Sequence, residues 1–201
     1  MEPVTLTTER LVLHVPDESD VDAITAACQD PEIPRWTTVP SPYTREHGEG
    51  YVRLIREWWA DGSQAIWCAY REGELVASIG LHHITEHRTG GHAEIGYWVT
   101  ESARGNGYLV EAARAVVGWG FEELGLARLG WRAVAGNVPS ARAARALGFR
   151  YEGLGRQALT SDRGRDDGWF GGLLAADDRA PVDWPILQGA SLAVCPTSVA
   201  G

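Results

Sequence analysis

The stretch His92–Tyr108, HAEIGYWVTESARGNGY, constrains the fold more than any other part of the chain. His92–Val99 reads as a strand, with polar and apolar residues alternating from His92 to Ile95. From Gly107 to Leu124, Val110, Ala113, Val117 and Phe121 recur at helical spacing, and Gly125 follows as a C-terminal stop. Between strand and helix lies Arg104-Gly105-Asn106-Gly107, a turn whose glycines can take backbone conformations other residues avoid. A second strand, Arg128–Ala135, follows the helix. Strand, helix and strand in this order form a crossover, so one strand pair of the sheet must be parallel.

The flanking segments supply the rest of a mixed α/β pattern. Val4–Val15 is β-branched and alternating and reads as a first strand. A short helix starts at Pro16-Asp17 and runs to about Cys28, and Pro31, Pro34, Pro40 and Pro42 then mark an irregular segment. A second helix spans about Thr44–Ala60. Gln64–Tyr70 and Glu74–Ile84 are strands around the hairpin turn Arg71-Glu72-Gly73. After the crossover come a helix over Pro139–Leu147, closed by Gly148, and strands at Arg150–Leu159 and Gly168–Ala175. The order β-α-α-β-β-β-α-β-α-β-β gives one domain over residues 1–175, antiparallel in its first half, with residues 176–201 as a C-terminal extension. In that extension Val182, Trp184, Ile186 and Leu187 can pack on a partner subunit, as in a homodimer.

Composition removes whole classes of chemistry. All 18 basic residues are arginine. A Schiff-base enzyme and a Walker phosphate loop each need a lysine, so neither fits. Net charge is −9, against a broad nucleic-acid surface. Arg104–Arg150 nevertheless holds seven arginines against three glutamates, so +4 sits there and −13 on the remainder. That asymmetry suits a polyanionic cofactor beside a cationic acceptor, although helix arginines also serve as a solvated face. No apolar run is long enough for a membrane span, and Met-Glu-Pro-Val-Thr does not read as a secretory leader, so a cytoplasmic setting is expected. Cys28, Cys68 and Cys195 have neither disulfide nor zinc spacing and read as reduced.

The glycine turn carries the chemistry. Backbone N–H groups converge there, the helix N-terminus adds about half a positive charge, and Arg104 can add a full one. Such a site suits a pyrophosphate, though a short Gly-x-Gly also occurs in plain turns. About thirty residues on come Gly136-Asn137-Val138-Pro139-Ser140 and then Leu147-Gly148-Phe149. With these three motifs in order, the sequence resembles the GNAT superfamily, in the branch of ribosomal-protein N-terminal acetyltransferases. The resemblance runs from Thr8–Leu13 to the last strand, and its Arg/Gln-x-x-Gly-x-Gly/Ala motif falls on Arg104, Gly107 and Leu109.

The resemblance implies a GNAT fold, a central mixed sheet of about seven strands flanked by about four helices, and acetyl-CoA as co-substrate. By carry-over, pantetheine would follow a β-bulge near Trp98 and Val99. The main chain from Gly105 through Asn106, Gly107 and Tyr108 to Leu109 would hold the pyrophosphate. Asn137 would touch the pantetheine arm, Ser140 would lie near the sulfur, and Arg142 or Arg145 would reach the 3′-phosphate. The implied reaction is direct acyl transfer to an amine, with a base on the acceptor side and a hydrogen-bond donor for the carbonyl oxygen near Trp98 or Val99. Glu94 is the base candidate, acting through a water, and the same carboxylate also fits a structural role. Tyr97 should face the opposite side of the strand.

Two positions depart from the family pattern. Ala144 stands where many members carry a thiolate-protonating tyrosine, which leaves Ser140 as donor. Leu109 replaces the motif's small final residue. On the acceptor side, Trp36 and one or other of Trp58 and Trp59 can wall a pocket, with Asp30, Glu32, Glu46, Glu49 and Asp61 nearby to favour a cationic amine. His82, His83, His87 and His92 fit surface or substrate-side roles better than a metal site. The acceptor can be a small-molecule amine or a peptide N-terminus. An acyl-CoA sensing module and a plain nucleotide binder remain alternative classes.

Overall fold

The computed structural model describes residues 1–188. The later part of the C-terminal extension, with Cys195, lies outside the described residues. Eight strands form one sheet: β1 (Leu6–Thr7), β2 (Val12–His14), β3 (Ala65–Arg71), β4 (Glu74–Thr85), β5 (Gly91–Val99), β6 (Leu126–Val134), β7 (Arg150–Ser161) and β8 (Gly164–Leu174). Their spatial order is β1-β2-β3-β4-β5-β6-β8-β7. Every neighbouring pair is antiparallel except β5 and β6, the pair joined by the crossover helix. Five helices accompany the sheet: α1 (Val21–Ala27), α2 (Glu32–Trp36), α3 (Arg45–Asp61), α4 (Tyr108–Glu122) and α5 (Val138–Ala146).

Strand alternation divides the core. On one face Cys68 and Trp98 pack with Val21 and Ile24 of α1 and Val52 of α3. Ile79, Leu81, Ala93 and Ile95 belong to the other cluster, with Ala112, Ala113, Val116 and Val117 of α4. Burial pushes the Cys28 thiol up to about 12, so this cysteine is an inert core residue.

The extra strand and helix have local causes. The single strand expected over Val4–Val15 folds back as the β1–β2 hairpin. Its turn forms because the Leu11 N–H donates to Thr8 Oγ1 (3.0 Å) while the Thr8 N–H donates to Leu11 O (2.9 Å). The fifth helix, α2, lies in the proline-marked segment expected to be irregular. Pro31 stands at its N-cap and Pro34 in its first turn, where a missing N–H removes no intrahelical bond. The last two strands also meet sooner than expected, with only Asp162-Arg163 between Ser161 and Gly164.

The end of the described chain packs onto its own domain. Trp184 is 1% exposed, lies 5.3 Å from the Trp131 ring centre, and donates its indole N–H to Phe149 O at 3.1 Å. This corrects the expectation that Trp184 docks on a partner subunit: the indole fills this chain's core. Trp184→Ala is expected to lower stability by about 3–5 kcal/mol, the usual cost of emptying a buried tryptophan site. Chemical denaturation of the two proteins checks this, and a change below 1 kcal/mol would refute it.

Candidate active site

The site begins where the parallel pairing ends. The β5–β6 ladder runs only from Gly91↔Leu126 to Ile95↔Trp131, while β5 continues along β4 to Val99 and β6 along β8 to Val134. Beyond Ile95 the two strands therefore part and open a cleft. The Thr100 N–H donates to Val76 O at 3.0 Å, which sets the antiparallel alternation. Gly96 and Trp98 bond to β4, whereas Tyr97 and Val99 turn their N–H and C=O groups away from β4 into the cleft. Two expectations change. Register shifts fall between His82 and Thr85 and between Gly91 and His92, so no bulge lies at Trp98–Val99. The Trp98 N–H is committed to β4, and the cleft-facing donors are Tyr97 and Val99.

The glycine turn closes one end of this cleft. Gly105 (φ 76°) and Gly107 (φ 78°) both take left-handed conformations, and Gly107 is the N-cap of α4. The first intrahelical bond runs from the Glu111 N–H to Gly107 O at 3.1 Å, and no side chain caps the helix. The N–H groups of Tyr108, Leu109 and Val110 are left for an anion, aided by the helix dipole. Two side chains are occupied in holding the turn. Asn106 donates to Arg104 O (3.0 Å), and Arg71 donates to the Tyr108 hydroxyl, so these two residues offer the cofactor only main chain. Arg104 pairs with Asp30 and thereby anchors the turn to the segment before α2. Arg145 is a correction: it donates to Val182 O (2.7 Å) and pairs with Asp183 (3.2 Å), which turns it away from a cofactor phosphate. Arg142 on the same helix is exposed and forms no ion pair among the described residues.

At the head of α5, Asn137 is the N-cap, its Oδ1 accepting from the Ser140 N–H at 3.2 Å. The Ser140 hydroxyl accepts from the Trp131 indole N–H (3.1 Å) and lies 3.1 Å from the Tyr97 hydroxyl. Tyr97 can donate to Ser140 O, also at 3.1 Å, which leaves the serine proton available to the cleft. Burial pushes the Tyr97 phenol up to about 12. Ala144, at the position where many family members carry a tyrosine, is fully buried. Strand parity put Tyr97 on the face opposite Glu94 but did not say which helix it meets, and Trp131 was not singled out from sequence.

Glu94, Tyr97, Leu109, Asn137 and Ser140 line a cavity of about 900 Å³ that continues past the cleft to α2 and α3. Trp36 and Trp58 are in its wall. Trp59 is not: it is 1% exposed and donates to Ile66 O at 3.1 Å, packed edge-on against Trp67 in the core. This removes it from the acceptor pocket. Glu94 pairs with Arg132 Nε at 2.8 Å. Burial raises its carboxyl above the ordinary value, against the opposing pull of Arg132 and His83. Of the histidines, His82 and His83 line the cavity, whereas His87 and His92 bond locally to Thr89 and Thr85. Among the described residues no cluster of three or more candidate ligands is placed to hold a metal.

The cavity has a roof that no sequence signal announced. Gln157 (φ 50°) lies within a register shift between Gly155 and Leu159, and beyond it the tip of the β7–β8 hairpin reaches α2. There Arg163 donates to Thr37 O (3.1 Å) and Arg35 O (3.4 Å), 126 and 128 residues away in sequence. The Trp36 indole leans toward the β6–α5 turn, where a Cβ on Gly136 would lie 3.9 Å from it. Glu32 fixes that indole by accepting its N–H at 3.0 Å.

Comparison with known proteins bears on the fold and the family. Residues 10–150 match the family described as Acetyltransferase (GNAT) domain. YoaA of Bacillus subtilis (strain 168), named as an uncharacterized N-acetyltransferase, is 30% identical over 157 residues, 77% of this chain and 87% of that protein. Among solved structures, Mycobacterium smegmatis RimJ in complex with CoA-disulfide has a TM-score of 0.80 at 21% identity, covering 87% of this chain and 90% of that one. RimL, a ribosomal L7/L12 α-N-protein acetyltransferase in complex with coenzyme A, has a TM-score of 0.78 at 21% identity, covering 88% and 100%. The chain belongs to the GNAT acetyltransferase family, as an N-acetyltransferase.

The roof generates a test. Arg163→Ala frees the hairpin tip from α2 and is expected to raise the acceptor KM at least several-fold, with the acetyl-CoA KM within twofold of wild type. Steady-state kinetics measures both. Equal effects on the two constants would refute a role confined to the acceptor side.

Proposed function

We propose that the protein transfers an acetyl group from acetyl-CoA to a primary amine by direct attack within a ternary complex. The observation that carries this reading is the pair of unpaired strand amides, Tyr97 and Val99, facing a cleft that joins the α4 N-terminus to the acceptor cavity. The cofactor pyrophosphate rests on the N–H groups of Tyr108, Leu109 and Val110, with Arg104 nearby. Pantetheine then runs along β5, within reach of the Asn137 amide. The thioester carbonyl then meets the Tyr97 or Val99 N–H, where a donor stabilises the developing oxyanion.

The acceptor enters from the α2–α3 side, past Trp36 and Trp58. An alkylamine is protonated at neutral pH and must lose a proton before attack. Glu94 draws the ammonium in and accepts that proton through a water. The Ser140 hydroxyl gives its proton to the leaving thiolate. The acceptor is a small-molecule amine or a peptide N-terminus, the second favoured by the likeness to RimL, whose name describes acetylation of a ribosomal protein.

Incubation with acetyl-CoA and a panel of amines and short peptides is expected to release free CoA thiol. Glu94→Gln is expected to lower kcat/KM for the amine about 100-fold. Because burial raises the Glu94 carboxyl, wild-type activity should rise with pH through a limb above the usual carboxylate range, and Glu94→Gln should lose that limb. An unchanged rate and profile in the variant would overturn the role of Glu94. Tight acetyl-CoA binding without thiol release from any amine would overturn transfer itself.

A further inference from the structure

His82 stands opposite Glu94 on the paired strands β4 and β5, so their side chains share one face of the sheet. Its ring leans along that face over Gly96: an ideal Cβ on Gly96 would lie 2.8 Å from His82 Nε2. The ring therefore occupies space that only a glycine leaves open, next to Tyr97. On its other side, His82 Nδ1 meets Gln64 Oε1. An amide oxygen only accepts, so the proton sits on Nδ1 and Nε2 keeps a lone pair. Among the described residues Nε2 has no hydrogen-bond partner, and His82 lines the cavity.

We propose that His82 is a catalytic residue, whose Nε2 takes the proton released by the amine nitrogen once that nitrogen has attacked the thioester. The inference rests on the transfer reading above and assigns the second of two protons. Attack forms the C–N bond and sends the carbonyl π pair to oxygen, leaving a cationic nitrogen. His82 Nε2 removes one N–H proton, the oxygen pair re-forms C=O, and the C–S bond breaks. The thiolate takes the Ser140 hydroxyl proton, and the imidazolium proton returns to the serine through water. The products are the N-acetyl amine and CoA thiol.

Two physical arguments support a base of this kind. The nitrogen of a tetrahedral intermediate is far more acidic than a free ammonium, so a weakly basic imidazole suffices. Burial lowers His82 to about 4, with smaller contributions from His83 and Arg132, so the ring is in its accepting form at neutral pH. The charged and titratable groups around it are Glu94 on β5, Arg132 on β6 and His83 on β4, while Glu46 and His47 of α3 line the same cavity.

The test compares His82→Ala, Gln64→Glu and wild type as full chains. His82→Ala is expected to lose about 100-fold or more in kcat, keep acetyl-CoA affinity within twofold, and recover with added imidazole. Gln64→Glu sets a carboxylate against Nδ1, so the acidic limb of its kcat profile should move upward in pH. Full kcat in His82→Ala would overturn the proposal. So would a loss that imidazole does not rescue, combined with an unmoved limb in Gln64→Glu. Failure of wild type to acetylate any amine would count instead against the transfer reading.

Discussion

The parting of β5 from β6 after Ile95 organises everything else in the molecule. Strands in a sheet normally satisfy one another's backbone groups, and an interior strand left unpaired on one side is a cost the fold must place somewhere useful. Here the unpaired side belongs to Tyr97 and Val99, and each surrounding element meets that gap. The α4 N-terminus lies below it with its own unbonded N–H groups. The head of α5 brings Ser140 to the side opened by β6. The helices α2 and α3 form the remaining wall. The α4 N-terminus and the α2–α3 wall thus meet one short stretch of exposed backbone from opposite ends.

Much of this was legible in the sequence because it depends on local rules. The crossover could be read from two strand periods around one helical period, and the turn from Gly105 and Gly107. What was not legible depends on tertiary placement. Trp58 and Trp59 are neighbours on one helix with the same composition-based claim on the pocket, yet the helix turns one to the cavity and the other to Trp67. Arg145 and Arg142 had equal claims on a phosphate until the chain end returned to occupy the first. The β1–β2 hairpin and α2 were missed for a different reason. A threonine side chain and two prolines decided those segments, and each is read differently depending on its place within a turn or helix.

The departure at position 144 acquires a reason from packing. Ala144 is fully enclosed against the core, with Phe149 and Leu147 beside it in the same cluster. The phenol in this site comes instead from β5, where Tyr97 reaches α5 and meets the Ser140 hydroxyl. A hydroxyl group thus reaches the head of α5 from a strand.

The burial of Trp184 also sets an order of events during synthesis. Trp131 and Phe149, which flank the strand–helix unit carrying Ser140, complete their contacts only when residue 184 is available to cover them. A nascent chain carries β1 through β5 and α4 well before that. The half of the site built on the α4 N-terminus therefore has its residues in the chain first. The half at the head of α5 completes its packing only once nearly the whole described chain has been made, so its final contacts wait for the indole of residue 184.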